Sequence, residues 1–266
     1  MRALVLIWSL GPMLWQLRTS LLSPEALVTP SVGATAARWT LENYRLILMS
    51  DPPFWRYLVN SSLVGVLTTL FTLVLAVPCA YGLQRQQGAL RWGVSLGLLA
   101  TALFPTVLLF LALLELARQF GLANDLLALS LPYTALSLPL AVLLLRAAFA
   151  DLPGELEDAA RLEGLDLGQR LRHVLLPLLG PALASTGILV FLFSWNEYPI
   201  ALTWISRADL LTVPTAMARI AGSSVYVVPY GALAAATVVG SVPLLALMLL
   251  FQRRIVAGLT QGAIKG

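Results

Sequence analysis

The 266-residue sequence predicts an all-α polytopic membrane protein with six transmembrane helices and one polar helix-turn-helix hairpin on the cytoplasmic side. Apolar residues make up 59% of the chain and charged residues 11%, against roughly 45–50% and about 25% in soluble globular domains. Mean hydropathy is +0.84, and the apolar residues suffice for about six spans of roughly 20 residues each. Long uncharged runs recur between short polar connections; a bilayer offers the backbone no water, so such runs must close their hydrogen bonds as helices.

The spans are placed at about 3–21, 58–83, 92–116, 126–149, 182–205 and 228–252 within a single domain covering 1–266. The first rests on Ala3–Leu17, whose 15 residues reach roughly 23 Å as a helix, short for a crossing. Arg2 followed by an apolar stretch also fits a cleaved signal peptide, but no small-residue cleavage site closely follows; the nearest cluster is Gly33–Ala37. The runs 58–83 and 228–252 are free of charge, and 92–116 and 126–149 are uncharged through 114 and 145. The run 182–205 carries Glu197. A charge near a helix centre costs roughly 2.5–3.5 kcal/mol, which neighbouring Leu, Ile, Phe and Val offset at roughly 0.3–0.6 each. Pro105, Pro132, Pro139 and Pro243 interrupt apolar runs, and each removes a helical hydrogen bond. Kinked helices can line a cavity, although membrane helices also tolerate proline for no such purpose.

Six spans put both termini on one side. Ten basic residues fall on that side against seven on the other, so the positive-inside rule places the termini in the cytoplasm. The net charge of +4 contains no basic run longer than Arg253-Arg254, which leaves nucleic-acid binding unsupported. A lone Cys79 and a lone His173 supply neither a disulfide framework, a metal cluster nor a catalytic dyad. This argues against a membrane enzyme. No G-x-x-x-x-G-K-[ST] loop is present, so work that uses ATP needs another subunit.

The most polar stretch is 151–177, with six acids. Asp151 is expected to cap a helix with Pro153 in its first turn and Glu155, Glu157 and Asp158 at the positive end of its dipole. Gly164 suits the left-handed position that ends it. Asp166 and Gln169 form a capping box for a second helix that runs toward Pro177. Leu156, Ala159, Ala160 and Glu163 are neighbours on the first helix, where the small alanines would let another surface approach. On pattern alone this is either a docking surface or a solvated hairpin kept out of the bilayer by its charges.

The segment resembles the EAA loop of the permease subunits of binding-protein-dependent ABC importers. Asp158-Ala159-Ala160 matches the triplet, Gly164 the turn glycine, and Leu176-Pro177 followed by Pro181 the end. Asp158 stands for the usual Glu and Glu163 for the usual Asp, with charge kept. The likeness covers nearly the whole chain and is of the maltose and trehalose type. Phe193-Ser-Trp-Asn-Glu-Tyr198 resembles an F-x-W-N-[ED] stretch, and Gly258–Gly266 the terminal G-L-T-x-G-A-[VI]-K-G. Asn60-Ser61-Ser62 resembles an N-S motif opening the second span, and Pro12, Trp15 and Ser20 the end of the first.

The resemblance implies a non-catalytic subunit of the inner membrane that imports trehalose, maltose or a similar disaccharide by alternating access. It implies a second permease chain, two copies of an ABC ATPase that hold ATP and Mg, and an extracytoplasmic sugar-binding protein. Glu155, Asp158, Ala159, Ala160, Gly164, Leu176 and Pro177 would form the ATPase-coupling element, with the short helix 152–163 as lever. Asn196, Glu197, Ser137 and Tyr230 are the residues placed along the translocation path. Glu197 at the outer mouth, or paired with a partner chain, is the competing reading, and Ser194 is a further polar candidate. The loop 207–227, with Gly222-Ser-Ser224 at its tip, could reach the delivering protein. The tail 258–266 is either a second ATPase contact or a disordered end. The alternative function is an ion-coupled secondary transporter, for which Glu197 is the single clear membrane-embedded charge.

Overall fold

The computed structural model describes residues 2–23, 26–27, 39–223 and 228–261. The chain is helical, and among the described residues extended pairing is limited to an isolated Leu22–Trp39 bridge. One compact unit joins Met1–Ser62 with Glu197–Ala246; the other joins Leu63–Asn196 with Leu247–Gly266.

In the first unit, α1 (Arg2–Ser20) leads to α2 (Glu42–Leu48). Asn43, 1% exposed, donates from Nδ2 to the carbonyls of Ser20 and Leu22 at 2.9 and 2.8 Å. These carbonyls lie at and beyond the end of α1, where helical partners run out, so a buried amide supplies them. The helix α3 (Phe54–Arg85) carries the N-S motif in its second turn, where its residues have a local purpose. Asn60 Nδ2 donates to the carbonyls of Asp209 and Leu211 at 3.0 and 2.9 Å, and Ser61 Oγ accepts from the Val213 amide at 2.8 Å. The motif thereby secures the segment leading into α11 (Val213–Ala221).

The second unit contains the rest of α3, then α4 (Gly88–Ala102), α5 (Phe110–Gln119), α6 (Leu126–Ala150), α7 (Gly154–Leu162), α8 (Leu167–Leu178) and α9 (Gly180–Asn196). Its core brings Ala76, Ala80 and Tyr81 of α3 against Leu145 and Phe149 of α6, Leu175 of α8 and Val190 of α9. Large apolar side chains such as Trp92, Leu96 and Leu111 stay exposed, as lipid-facing or partner-facing residues do.

Among the described residues, three helices are each long and apolar enough to cross a membrane, α3, α6 and Tyr230–Gln252 of α12 (Tyr230–Gln261), and the bent pair α8–α9 makes a fourth if it is one span. Two runs expected to be single helices are broken. Over 92–116, α4 stops at Ala102, and a 3-10 turn over Thr106–Leu109 precedes α5. Pro105 lacks an amide hydrogen and turns Phe104 away from helical geometry. Over 182–205, α9 stops at Asn196 and a short α10 (Pro199–Trp204) follows, again begun by a proline. Pro132, Pro139 and Pro243 remain inside continuous helices.

Candidate functional site

The polar hairpin is built by local signals. Asp151 does not cap α7, contrary to expectation: it closes α6, its amide donating to the carbonyls of Ala148 and Phe149, and Pro153 takes the N-cap position without a side-chain bond. A proline at this point suits an entry where backbone donors are already spare. Gly164 ends the helix at φ +81°. Its amide donates to Arg161 O at 3.0 Å and the Leu165 amide to Ala160 O at 3.1 Å, the paired bonds of a Schellman turn. The capping box forms: Asp166 Oδ1 accepts from the Gln169 amide at 2.8 Å, and Gln169 Oε1 from the Asp166 amide at 2.9 Å. Arg170–Leu175 is then wound as a π-helix, a widening that turns both Arg170 and Leu175 inward. The hairpin leaves toward α9 through a bend of 81°, where Pro181 cannot continue the hydrogen-bond ladder.

Among the proposed coupling residues, Glu155, Asp158, Ala159 and Gly164 are exposed, and Pro177 is exposed at the far end. Leu162 beside them is 91% exposed. Leu176 is half-buried, and Ala160 is buried at 4%, so only Ala159 of the alanine pair is exposed. Ala160 faces inward because it lies three residues after Glu157, on the buried side of α7.

Glu157 is the residue that sequence reasoning missed as an individual. It is 6% exposed. The Tyr81 hydroxyl donates to its Oε1 at 2.6 Å, Arg161 and Arg170 each approach Oε1 at 3.1 Å, and Arg85 pairs with Oε2. The Arg85 guanidinium also lies 5.0 Å from the Tyr81 ring centroid, and that ring meets Phe149 edge-on at 5.6 Å. Removing one partner of a buried ion pair costs roughly 3–5 kcal/mol because the other charge stays desolvated. The i,i+4 spacing of Glu157 and Arg161 was visible in the sequence; the partners on α3 were not.

The residues assigned to the path have distinct surroundings. Ser137 is buried, and among the described residues its hydroxyl has no hydrogen-bond partner, as is the case for Ser194. Ser137 lines a cavity of about 130 Å³ otherwise walled by residues such as Leu140, Leu189 and Phe193. That is below the roughly 300 Å³ at which small-molecule sites begin, so this cavity alone does not enclose a disaccharide. Asn196 bonds back to Leu192 O at 2.8 Å, and Tyr230 is exposed at the start of α12. Glu197 accepts from the amides of Ile200 and Ala201 at 2.9 and 3.0 Å, capping α10. This is why a charge is tolerated there: the carboxylate satisfies two amides that the helix break leaves open. Glu197→Ala is expected to lower the stability of the assembled protein by about 1–2 kcal/mol, with Glu197→Gln recovering part of it. Thermal unfolding in detergent measures both.

In the 207–227 loop, the Arg207 side chain donates to Asp209 at 2.8 and 3.2 Å, and Arg56 approaches the same carboxylate at 3.4 Å. The Arg207 hydrogen bonds hold the Asp209 carboxyl below the usual carboxylate range. Ser224 of the loop tip, the 262–266 end of the tail and the Gly33–Ala37 cluster lie outside the described residues.

Residues 35–257 match the family described as binding-protein-dependent transport system inner membrane component. The chain is 38% identical to the trehalose transport system permease protein SugB of Mycobacterium tuberculosis, over 99% of this chain and 95% of the relative. It is 36% identical to the trehalose/maltose transport system permease protein MalG of Thermococcus litoralis, over 99% and 94%. It is also 36% identical to the sulfoquinovosyl glycerol transport system permease protein SmoH of Agrobacterium fabrum, over 99% and 92%. The crystal structure of a bacterial ABC transporter involved in the import of the acidic polysaccharide alginate shares the fold. Its matching chain superposes with a TM-score of 0.79 at 20% identity, covering 94% of this chain and 92% of that one.

These findings exclude the ion-coupled secondary transporter. In such systems ATP binding belongs to a partner ATPase, which acts beside a partner permease and a substrate-binding protein. The full-length matches and the family match together place the chain: it belongs to the binding-protein-dependent transport system inner membrane components, as a non-catalytic, multi-pass permease subunit of an ABC importer.

Proposed function

We propose that this chain is one of two dissimilar permease chains in an importer of trehalose, maltose or a similar disaccharide. Two cytoplasmic ATPase copies drive it by alternating access, holding ATP and Mg, and an extracytoplasmic sugar-binding protein delivers the cargo. The observation that carries the coupling role is the hairpin, which turns Glu155, Asp158 and Ala159 outward and ends at a left-handed glycine. The names of the trehalose and maltose relatives support the cargo.

The chain acts as one transmembrane domain over 1–266, its six crossings made by α1, α3, the broken α4–α5, α6, α9 and α12, with 151–177 as the EAA loop. Both termini and the hairpin face the cytoplasm, which the excess of basic residues on that side supports. Glu155, Asp158, Ala159 and Gly164 meet the ATPase, while Ala160, Leu176 and Pro177 shape the hairpin behind that contact. Asn196, Glu197, Ser137 and Tyr230 face the path, which the second permease chain completes. The 207–227 loop receives the binding protein, and the tail 258–266 is a second ATPase contact. ATP-driven closure changes the pore only through contacts that differ between the two states, and the rigid α7 is where such a contact is made.

Proteoliposomes holding both permeases, the ATPase and the binding protein test this reading. Radiolabelled trehalose or maltose should accumulate only with internal ATP. Absence of uptake of either, with ATP hydrolysis intact and the binding protein selecting another solute, removes the disaccharide assignment.

A further inference from the structure

We propose that Glu157 fastens the coupling hairpin to the C-terminal end of α3, making this helix a third element that the ATPase moves. The proposal rests on the reading that α7 is the ATPase contact. By chain connection the hairpin reaches only two long helices. It follows α6 across Asp151, Leu152 and Pro153, which are not helical, and leads into α9 across the 81° bend. A lever held by those joints alone could pivot without displacing α3, whose last turn is separated from Glu157 by about seventy residues of chain.

The buried carboxylate closes that gap. Of the three acids in the first half of α7, Glu155 and Asp158 point outward and Glu157 points in. Two of its partners, Tyr81 and Arg85, lie one turn apart at the end of α3; Arg161 belongs to α7 and Arg170 to the π-wound segment of α8. One anion thus holds cationic or hydroxyl groups from three elements, and its removal would leave three guanidinium groups facing one another. Tyr81 is braced by Phe149 and by Arg85 above its ring. Glu157 is a positioning residue, acting through α3 rather than on cargo.

The pair Tyr81→Phe and Arg85→Met removes the polar link from Glu157 to α3, leaving in place the apolar packing of α3 on Leu175 and the partners of Glu157 within the hairpin. The native Cys79, exposed on α3 two residues from Tyr81, reports the movement without knowledge of the cargo. In the complete complex, its maleimide labelling rate is expected to differ at least threefold between nucleotide-free and ATP/vanadate-trapped states. In the double variant that difference disappears although ATP hydrolysis continues; Arg85→Lys restores part of it. A protein merely lowered in amount would keep the ratio of the two rates. Crosslinking of Asp158→Cys, in a Cys79→Ser background, to the ATPase tests the underlying contact separately.

A retained crosslink with an unchanged labelling ratio in the double variant overturns the clasp and leaves the docking reading standing. Equal labelling of the unsubstituted chain in both states also overturns the clasp. Absence of the crosslink overturns both readings. If the double variant does not assemble, Tyr81→Phe, which keeps the ring and loses the 2.6 Å hydrogen bond, and Arg85→Met, which loses the ion pair, decide the matter singly: an unchanged ratio in both refutes the proposal.

Discussion

Gly164→Val is expected to cut uptake by the assembled transporter about tenfold while ATP hydrolysis persists. An L residue in the left-handed region costs roughly 1–2 kcal/mol, and a β-branched one more; about 1.4 kcal/mol is a factor of ten. Gly164 sits at φ +81° with open space where a Cβ would project, so the penalty comes from the backbone alone and not from a clash. The turn relieves the strain by opening, which releases the Schellman bonds to Arg161 and Ala160 and misdirects the exposed face of α7. Asparagine tolerates this conformation, so Gly164→Asn should recover most of the uptake. Uptake and ATP hydrolysis measured in the same proteoliposomes give the coupling ratio, and a normal ratio for Gly164→Val would contradict the assigned role of the hairpin.

Gly231→Ala should destabilise the protein by about 2 kcal/mol, against the helix propensity that favours alanine by about 1 kcal/mol. An ideal Cβ at Gly231 would lie 2.5 Å from Asn43 Oδ1 and 2.7 Å from Nδ2. The amide cannot simply swing aside, because Nδ2 is held by the carbonyls of Ser20 and Leu22. Displacing it leaves buried carbonyls without donors, at roughly 1–3 kcal/mol for an unsatisfied group. Asn43→Ala removes the same bonds but makes room, so the Gly231→Ala/Asn43→Ala double variant should lose less stability than the sum of the singles. Thermal unfolding of the complex in detergent measures the cycle; strict additivity would mean that the two positions do not meet.

Much of the architecture could be read along the chain, for reasons that operate within a few residues. Apolar runs of 20 or more residues become helices whatever packs beside them, as α3, α6 and α12 do. Gly164 adopts its left-handed turn and Asp166 with Gln169 forms the reciprocal cap, since both depend on neighbours at most four positions away. The broken helices had local signals too, Pro105 and Pro199, but tolerance of proline elsewhere in α6 and α12 shows that a proline marks a break only in context. Asp151 was misread because an acid between two helices can serve the end of one or the start of the next, and backbone angles settle which.

From the chain alone one learns that this is a membrane-embedded helical protein and where its polar elbow lies, because transfer free energy and capping act locally; that it is a permease is what the resemblance of its motifs implies. Which acid of that elbow is buried, which alanine faces inward, and that Glu197 serves a helix start required the folded chain. Glu155, Glu157 and Asp158 are chemically near-equivalent, and what separates them is the reach of Tyr81 and Arg85 from a helix far away in sequence. Desolvating a carboxylate is favourable only where several donors converge on it, and that convergence is a property of packing in three dimensions.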